Sequence, residues 1–226
     1  MTARDNILGR IRVAQGRRGA PTAEERATVA SHVRAHPPGP RPQSGWDPVA
    51  RFSECAFRLS TTVDRVASRS DVPGAVARYL EQNKLPRDAV CWPELLELEW
   101  EAAGINVEGR AAGGSDLVGI TSAYCAIAET GTLMTLSGPR TPATTSLLPE
   151  THIAVVPAGR IVEGMEDAWN LLRTEHAATH AGSTAFMPRA VNFISGPSRT
   201  ADIEQTIVLG AHGPYRVHIV LVGAPE

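Results

Sequence analysis

Residues 115–137, SDLVGITSAYCAIAETGTLMTLS, set an apolar run beside small hydroxyl residues and one carboxylate, the side-chain types that hold anions and move protons. Thr121 and Ser122 stand where the run Leu117–Ile120 ends. Open α/β sheets bind ligands outside the carboxyl ends of their strands, so this pair either holds an anion there or caps a following helix. Glu129 leads into Thr130-Gly131-Thr132. Beside such a turn a carboxylate is either an ordinary solvated residue or a partly desolvated one, and desolvation raises its pKa and prepares it as a base or nucleophile. Glu129 is therefore the candidate catalytic residue.

A second constellation, Ser195-Gly196-Pro197-Ser198-Arg199-Thr200-Ala201-Asp202-Ile203-Glu204, follows an apolar run ending at Ile194. Gly196 lets backbone approach closely, Ser198 and Thr200 offer hydroxyls, and Arg199 offers a planar fork for a carboxylate or phosphate. An Arg199–Asp202 ion pair would use the same residues structurally. In Gly210-Ala211-His212-Gly213-Pro214, His212 is either an acid–base group or a turn residue. Ser146-Leu147-Leu148-Pro149-Glu150 is either a lining segment or a helical turn stopped by proline.

The elements that must position these residues follow from periodicity. Ile7, Ile11 and Ala14 mark a first helix, and Thr22-Ala23-Glu24-Glu25 has the order of a capping box opening a second, which carries only a small-residue stripe of Ala23, Ala27, Ala30 and Val33. Residues 37–48, PPGPRPQSGWDP, contain five prolines and two glycines and read as a linker. A third helix from Asp47 to about Thr62 carries Val49, Phe52, Ala56 and Leu59, so residues 1–62 read as an N-terminal helical arm. Beyond it, Asp71 opens a helix with Val72, Ala75, Val76 and Tyr79. Apolar runs at 89–92, 117–120, 132–136, 153–156, 191–194 and 217–222 alternate with helical stretches, and Met165, Ala168, Trp169 and Leu172 mark the clearest amphipathic one. Near-continuous apolar runs suit strands buried on both faces, so the expected fold is α/β, a mainly parallel sheet flanked by helices over residues 63–226. Within 115–137 the order expected is strand, turn at Gly119-Ile120-Thr121, short helix, strand.

Composition bounds the function. With 42% hydrophobic and 20% charged residues in 226, the chain is globular, and a net charge of −2 gives no global field for nucleic acid. The opening MTARDNILGRIRVAQGRR reads as no secretory signal, no window reaches the roughly 18 apolar residues of a membrane span, and a cytoplasmic protein without a membrane span is expected. Cys55, Cys91 and Cys125 lie far apart with no C-x-x-C, which argues against a disulfide framework, a zinc site or an iron–sulfur cluster in this chain.

Taken in order, GITSAYCAIAETGTL, SLLPETHIAVV, ISGPSRTADIEQTIVLGAHGP and the final VHIVLV resemble the lactate-utilisation protein C family, or LUD domain, over about residues 64–226. The resemblance implies an architecture like that of sugar-phosphate isomerases and coenzyme A transferases. It further implies a part in oxidising L-lactate to pyruvate alongside two iron–sulfur proteins, so no cofactor is expected on this chain and iron–sulfur clusters are expected in its partners. Thr121, Glu129, Thr130, Gly131, Ser195, Gly196, Ser198, Arg199, Thr200, Asp202, Glu204, His212 and Gly213 fall on the family pattern, and all of these except Glu129, Glu204 and Gly213 are candidate binders of a small carboxylate or phosphate. One departure is visible: the basic residue expected just before Ser-Leu-Leu-Pro is represented by Arg140, six positions before Ser146. Three roles follow: a cluster-free subunit of a lactate-oxidising complex, a stand-alone enzyme on a phosphorylated or coenzyme A-linked molecule with Glu129 as base or nucleophile, or a lactate-responsive sensor.

Overall fold

A computed structural model describes residues 2–17, 19–41, 45–179, 187–201 and 205–223. The chain forms two compact units, Met1–Gln43 and Ser44–Glu226. In the first, α1 (Ala3–Ala14) and α2 (Ala23–Ala35) both begin with a capping box. At α2 the Glu25 amide donates to Thr22 Oγ1 at 3.1 Å and the Thr22 amide to the Glu25 carboxylate at 2.8 Å, as the T-x-x-E order predicts. Neither helix buries a residue.

The second unit opens with α3 (Pro48–Arg58), capped by Asp47. Then follow β1 (Thr62–Val66), α4 (Val72–Gln82), β2 (Asp88–Cys91), β3 (Asn106–Glu108), β4 (Val118–Ser122), β5 (Cys125–Ile127), β6 (Thr132–Leu136), α5 (Thr144–Leu147) and β7 (Thr151–Pro157). β8 (Ile161–Val162), α6 (Met165–Thr179), β9 (Val191–Ile194), β10 (Arg199–Thr200), β11 (Val208–Leu209) and β12 (Arg216–Val222) complete it. Six strands form one sheet in the order β1-β12-β7-β4-β2-β3, with every neighbouring pair parallel. This is the α/β fold expected from the apolar runs.

Both faces of the sheet's four inner strands are buried, which is why β2, β4, β7 and β12 read as continuous apolar runs. On one face α4 and the turns around Leu95 and Trp100 pack onto Val118, Ile120, Ile153 and Val220. On the other, Phe52 and Ala56 of α3 and the inner residues Ala126 and Leu133 of a second sheet pack onto Ala154, Val156, Ile219 and Leu221. The second sheet, β8-β5-β6-β9, carries α6 on its far side, with Cys125, Ile127 and Met134 against Ala168 and Leu172.

Two expectations are corrected here. The stretch after Thr121 is strand, not turn and short helix: Val118–Ser122 pairs with both β2 and β7, and Cys125–Ile127 is a strand of the second sheet. Cys125, Ala126, Ile127 and Ala128 are fully buried between two layers, so their small apolar side chains satisfy a strand with two covered faces. Four residues, Ala128–Gly131, join β5 to β6, and so short a link permits only antiparallel pairing. The compact units also divide at residues 43 and 44 rather than 62 and 63. Phe52 and Ala56, both 0% exposed, make α3 part of the core and not of the arm.

Candidate functional site

The topology picks out one end of the large sheet. From β2 the chain passes to its neighbour β3 on one side, and from β4 it proceeds to β7 on the other, so a switch point lies between β2 and β4. Crevices outside the carboxyl ends of strands at such a point are where open α/β sheets hold ligands. A cavity of about 480 Å³ occupies this position. Trp92, Glu94 and Leu95 reach it from the loop after β2, Ser122, Ala123 and Tyr124 from the end of β4, Val155 and Pro157 from β7, and Val222 from β12. Arg69 after β1, Arg160 after β7, Leu136 at the end of β6 and Thr141 beyond it close its sides.

The polar side chains are largely held by one another. Ser122 Oγ donates to the Glu94 carboxylate. Arg160 spends its fork on a bidentate pair with Glu175, at 2.6 and 3.2 Å, and donates through Nε to the Tyr124 carbonyl at 2.8 Å. Its guanidinium also lies over the Tyr124 ring. The Tyr124 hydroxyl donates to Glu175 at 2.6 Å, and burial together with that carboxylate raises its pKa, so the phenol stays protonated. Arg69 uses only Nη2, which donates to the Glu94 carbonyl at 3.2 Å and pairs with Glu97 at 2.7 Å. Among the described residues its Nε and Nη1 have no protein partner. The cavity thus has one arginine with donors to spare, a carboxylate–hydroxyl pair, and apolar walls.

Of the described residues singled out from the sequence as candidates, only Ser122 lines this cavity. Thr121 is buried within β4, where its hydroxyl shares a 2.8 Å hydrogen bond with His152 Nε2. The AETGT and SGPSR segments do converge: Thr130 Oγ1 donates to Thr132 Oγ1 at 2.8 Å, and Thr132 Oγ1 bonds Ser195 Oγ at 2.7 Å. They meet around the carboxyl end of α3. Gly131, at φ +65°, has no room for a Cβ, which would stand 2.4 Å from the Ala56 nitrogen; at Gly196, φ +78°, a Cβ would stand 2.4 Å from the Leu59 carbonyl oxygen. Arg199 donates to that same carbonyl at 3.1 Å and to Ser60 Oγ at 2.7 Å, satisfying groups that a helix end leaves open. Glu129 is half-buried, with its amide donating to the Glu163 carbonyl at 2.9 Å and its carbonyl accepting from Cys55 Sγ, and it does not line the cavity.

Around the final turn, the Ser198 amide donates to the Pro214 carbonyl and the Gly210 amide to the Ser198 carbonyl, so Ser198 anchors the β10–β11 ribbon to the Gly210–Pro214 turn. Gly213 packs against Ser198 and near Leu147, which brings the Ser-Leu-Leu-Pro segment to the same place. Thr200 pairs with Val208 in the ribbon, His212 is exposed, and Arg140 is exposed on the Gly138–Thr141 turn. Asp202 and Glu204 lie outside the described residues.

The LUD domain matches residues 80–222, well over half of the chain. The chain belongs to the LUD-domain family. "Lactate utilization protein C" of Exiguobacterium sp. (strain ATCC BAA-1283 / AT1b) is 42% identical over 106 residues, covering 46% of this chain and 44% of that protein. The protein of the same name from Bacillus subtilis (strain 168) is 39% identical over 105 residues, covering 46% and 42%. "Lactate utilization protein C 1" of Bacillus mycoides (strain KBAB4) is 40% identical over 123 residues, covering 54% and 50%. The matched stretch is thus about half the length of these relatives. A crystal structure of a DUF162 family protein from Deinococcus radiodurans shares the fold, with a TM-score of 0.57 at 21% identity over 80% of this chain and all of that one.

Of the residues that line the cavity, sequence reasoning missed Arg69, Glu94, Tyr124 and Arg160. Applied to every apolar run, the carboxyl-end rule that singled out Ser122 reaches Glu94, Tyr124 and Arg160 one by one but not Arg69, because β1 was not among the apolar runs. Each of the four lies within a few residues of a strand end, at 66, 91, 122 and 157. Among the described residues, no three His, Cys, Asp or Glu side chains are grouped to hold a metal ion, and no helix is long and apolar enough to cross a membrane.

Proposed function

We propose that this chain serves in lactate utilisation as a component without a redox centre of its own, and that its switch-point cavity binds a 2-hydroxy or 2-oxo carboxylate. The observation that carries the reading is Arg69, which lines a cavity that also offers the Glu94–Ser122 pair and whose Nε and Nη1 have no partner among the described residues. A guanidinium edge suits a carboxylate, and the adjoining carboxylate–hydroxyl pair suits the neighbouring hydroxyl or carbonyl. The names of the relatives support the physiological setting. Oxidation of a 2-hydroxy acid to a 2-oxo acid removes two electrons and two protons, and in this reading partner iron–sulfur proteins take the electrons. The separate burial of Cys55, Cys91 and Cys125 supports clusters carried by partners, and action in the cytoplasm is part of the same proposal.

Calorimetric titration of the full chain with L-lactate and with pyruvate tests the site. Arg69→Gln is expected to weaken binding roughly tenfold to a hundredfold, the loss of a hydrogen-bonded charge. Co-purification with iron–sulfur proteins tests the partnership, and lactate oxidation by those proteins at an undiminished rate without this chain would remove the proposed role.

A further inference from the structure

The cavity is much larger than lactate needs. Lactate has six non-hydrogen atoms, which at interior packing density fill a small fraction of about 480 Å³. Cavities of this size ordinarily enclose much larger ligands. Its chemistry is also divided. Arg160 and Tyr124 are spent on Glu175, so the polar groups with valence to offer are Arg69, Glu94 and Ser122, from the loops after β1 and β2 and the end of β4. Val155 and Val222, at the ends of β7 and β12, and Leu136, at the end of β6, supply apolar wall instead. A methyl group leaves the partly exposed Leu136 and Val222 facing water, whereas a longer hydrocarbon side chain covers them.

We infer that the cavity selects 2-hydroxy or 2-oxo acids with an apolar side chain larger than methyl, the carboxylate at Arg69 and the hydrocarbon against Leu136, Val155 and Val222. This deepens the carboxylate reading of the cavity and rests on it. Each methylene moved from water onto apolar wall tightens binding about fourfold, equivalent to about 0.8 kcal/mol. A branched four-carbon side chain therefore outcompetes methyl by more than tenfold even when only part of it is covered.

The test is calorimetric titration of the full chain with L-lactate, L-2-hydroxy-4-methylpentanoate, L-3-phenyllactate and the neutral amide of the last. The expected order is a 2-hydroxy-4-methylpentanoate affinity at least tenfold above that of lactate, with the amide far weaker than its acid. Leu136→Trp, which fills the apolar side, should lower the ratio of those two affinities at least fivefold, with thermal unfolding of the variant followed in parallel to verify folding. Affinity that is flat or falls with side-chain size, or a ratio unchanged in folded Leu136→Trp, overturns the inference while lactate binding keeps the carboxylate site. Failure of every acid to bind overturns the carboxylate site itself, and an amide as tight as its acid removes Arg69 as the anchor.

Discussion

His152 and His218 are the buried groups whose chemistry bears most directly on stability. His152 Nε2 is bonded to Thr121, and His218 Nδ1 to Thr62 at 2.8 Å with its ring stacked on Tyr79 at 3.8 Å. The second nitrogen of each ring has no hydrogen-bond partner among the described residues. Protonation would place a charged donor there with nothing to accept from it, and burial holds both pKa values down to about 4 from 6.5. An unfolded chain binds these protons from about pH 6.5 downward, while the folded chain refuses them until about pH 4. The stabilising contribution is therefore complete above pH 6.5 and is lost as pH falls toward 4, by about 3 kcal/mol for each histidine. Urea unfolding at pH 7, 5.5 and 4.5 should show this slope, and His152→Gln and His218→Asn should each flatten it. An identical slope in both variants would assign acid sensitivity to other groups. The same burial pushes the Cys91 and Cys125 thiols up to about 11, which makes them core residues with little thiolate to react.

At the scale of elements, the AETGT and SGPSR segments explain how α3 is held. Gly131 and Gly196 each bring a loop within contact of the last turn of α3, Arg199 satisfies its Leu59 carbonyl, and Thr132 and Ser195 tie the loops together. A Cβ at Gly131 or Gly196 would meet backbone atoms in a conformation that L-residues rarely adopt. Gly131→Ala and Gly196→Ala should each cost at least about 2 kcal/mol in urea unfolding, combining left-handed strain with overpacking. Gly159→Ala, with nothing within 4 Å of the added carbon, is the near-neutral control. Equal effects at Gly131 and Gly159 would contradict the clamp. These contacts also mark what a single sequence can show. The large sheet's inner strands β12, β7, β4 and β2 were legible because burial on both faces leaves continuous apolar runs, whereas the partly exposed edge strands β1 and β3 were not, and Cys125–Ala128, small and apolar, suits a buried helix or strand equally well. Ser122 was legible as a strand-end residue. Arg69, Glu94 and Arg160 were not, because their convergence depends on the strand order β1-β12-β7-β4-β2, which no local pattern encodes.

The whole molecule divides where the proline-rich stretch begins to give way to α3, and that boundary has energetic content. α1 and α2 bury no residue, so neither helix contributes to an apolar core. α3 differs in kind: Phe52 and Ala56, both 0% exposed, cover the sheet face that carries Ala154, Val156, Ile219 and Leu221. Truncating Phe52 alone removes an aromatic side chain whose loss ordinarily costs about 3–5 kcal/mol, and deletion of the helix also strips the surfaces against which Gly131 and Gly196 are shaped. A chain of residues 44–226 should therefore unfold cooperatively, with a midpoint within about 5 °C of the full chain, since about 1 kcal/mol moves a domain of this size by 2–4 °C. A chain of residues 63–226 should lose its cooperative transition. Thermal unfolding followed by near- and far-ultraviolet circular dichroism separates the two outcomes. A cooperative 63–226 chain would show that α3 is dispensable to the core, and a 44–226 chain without a transition would show that α1 and α2 carry stability that their exposure does not reveal.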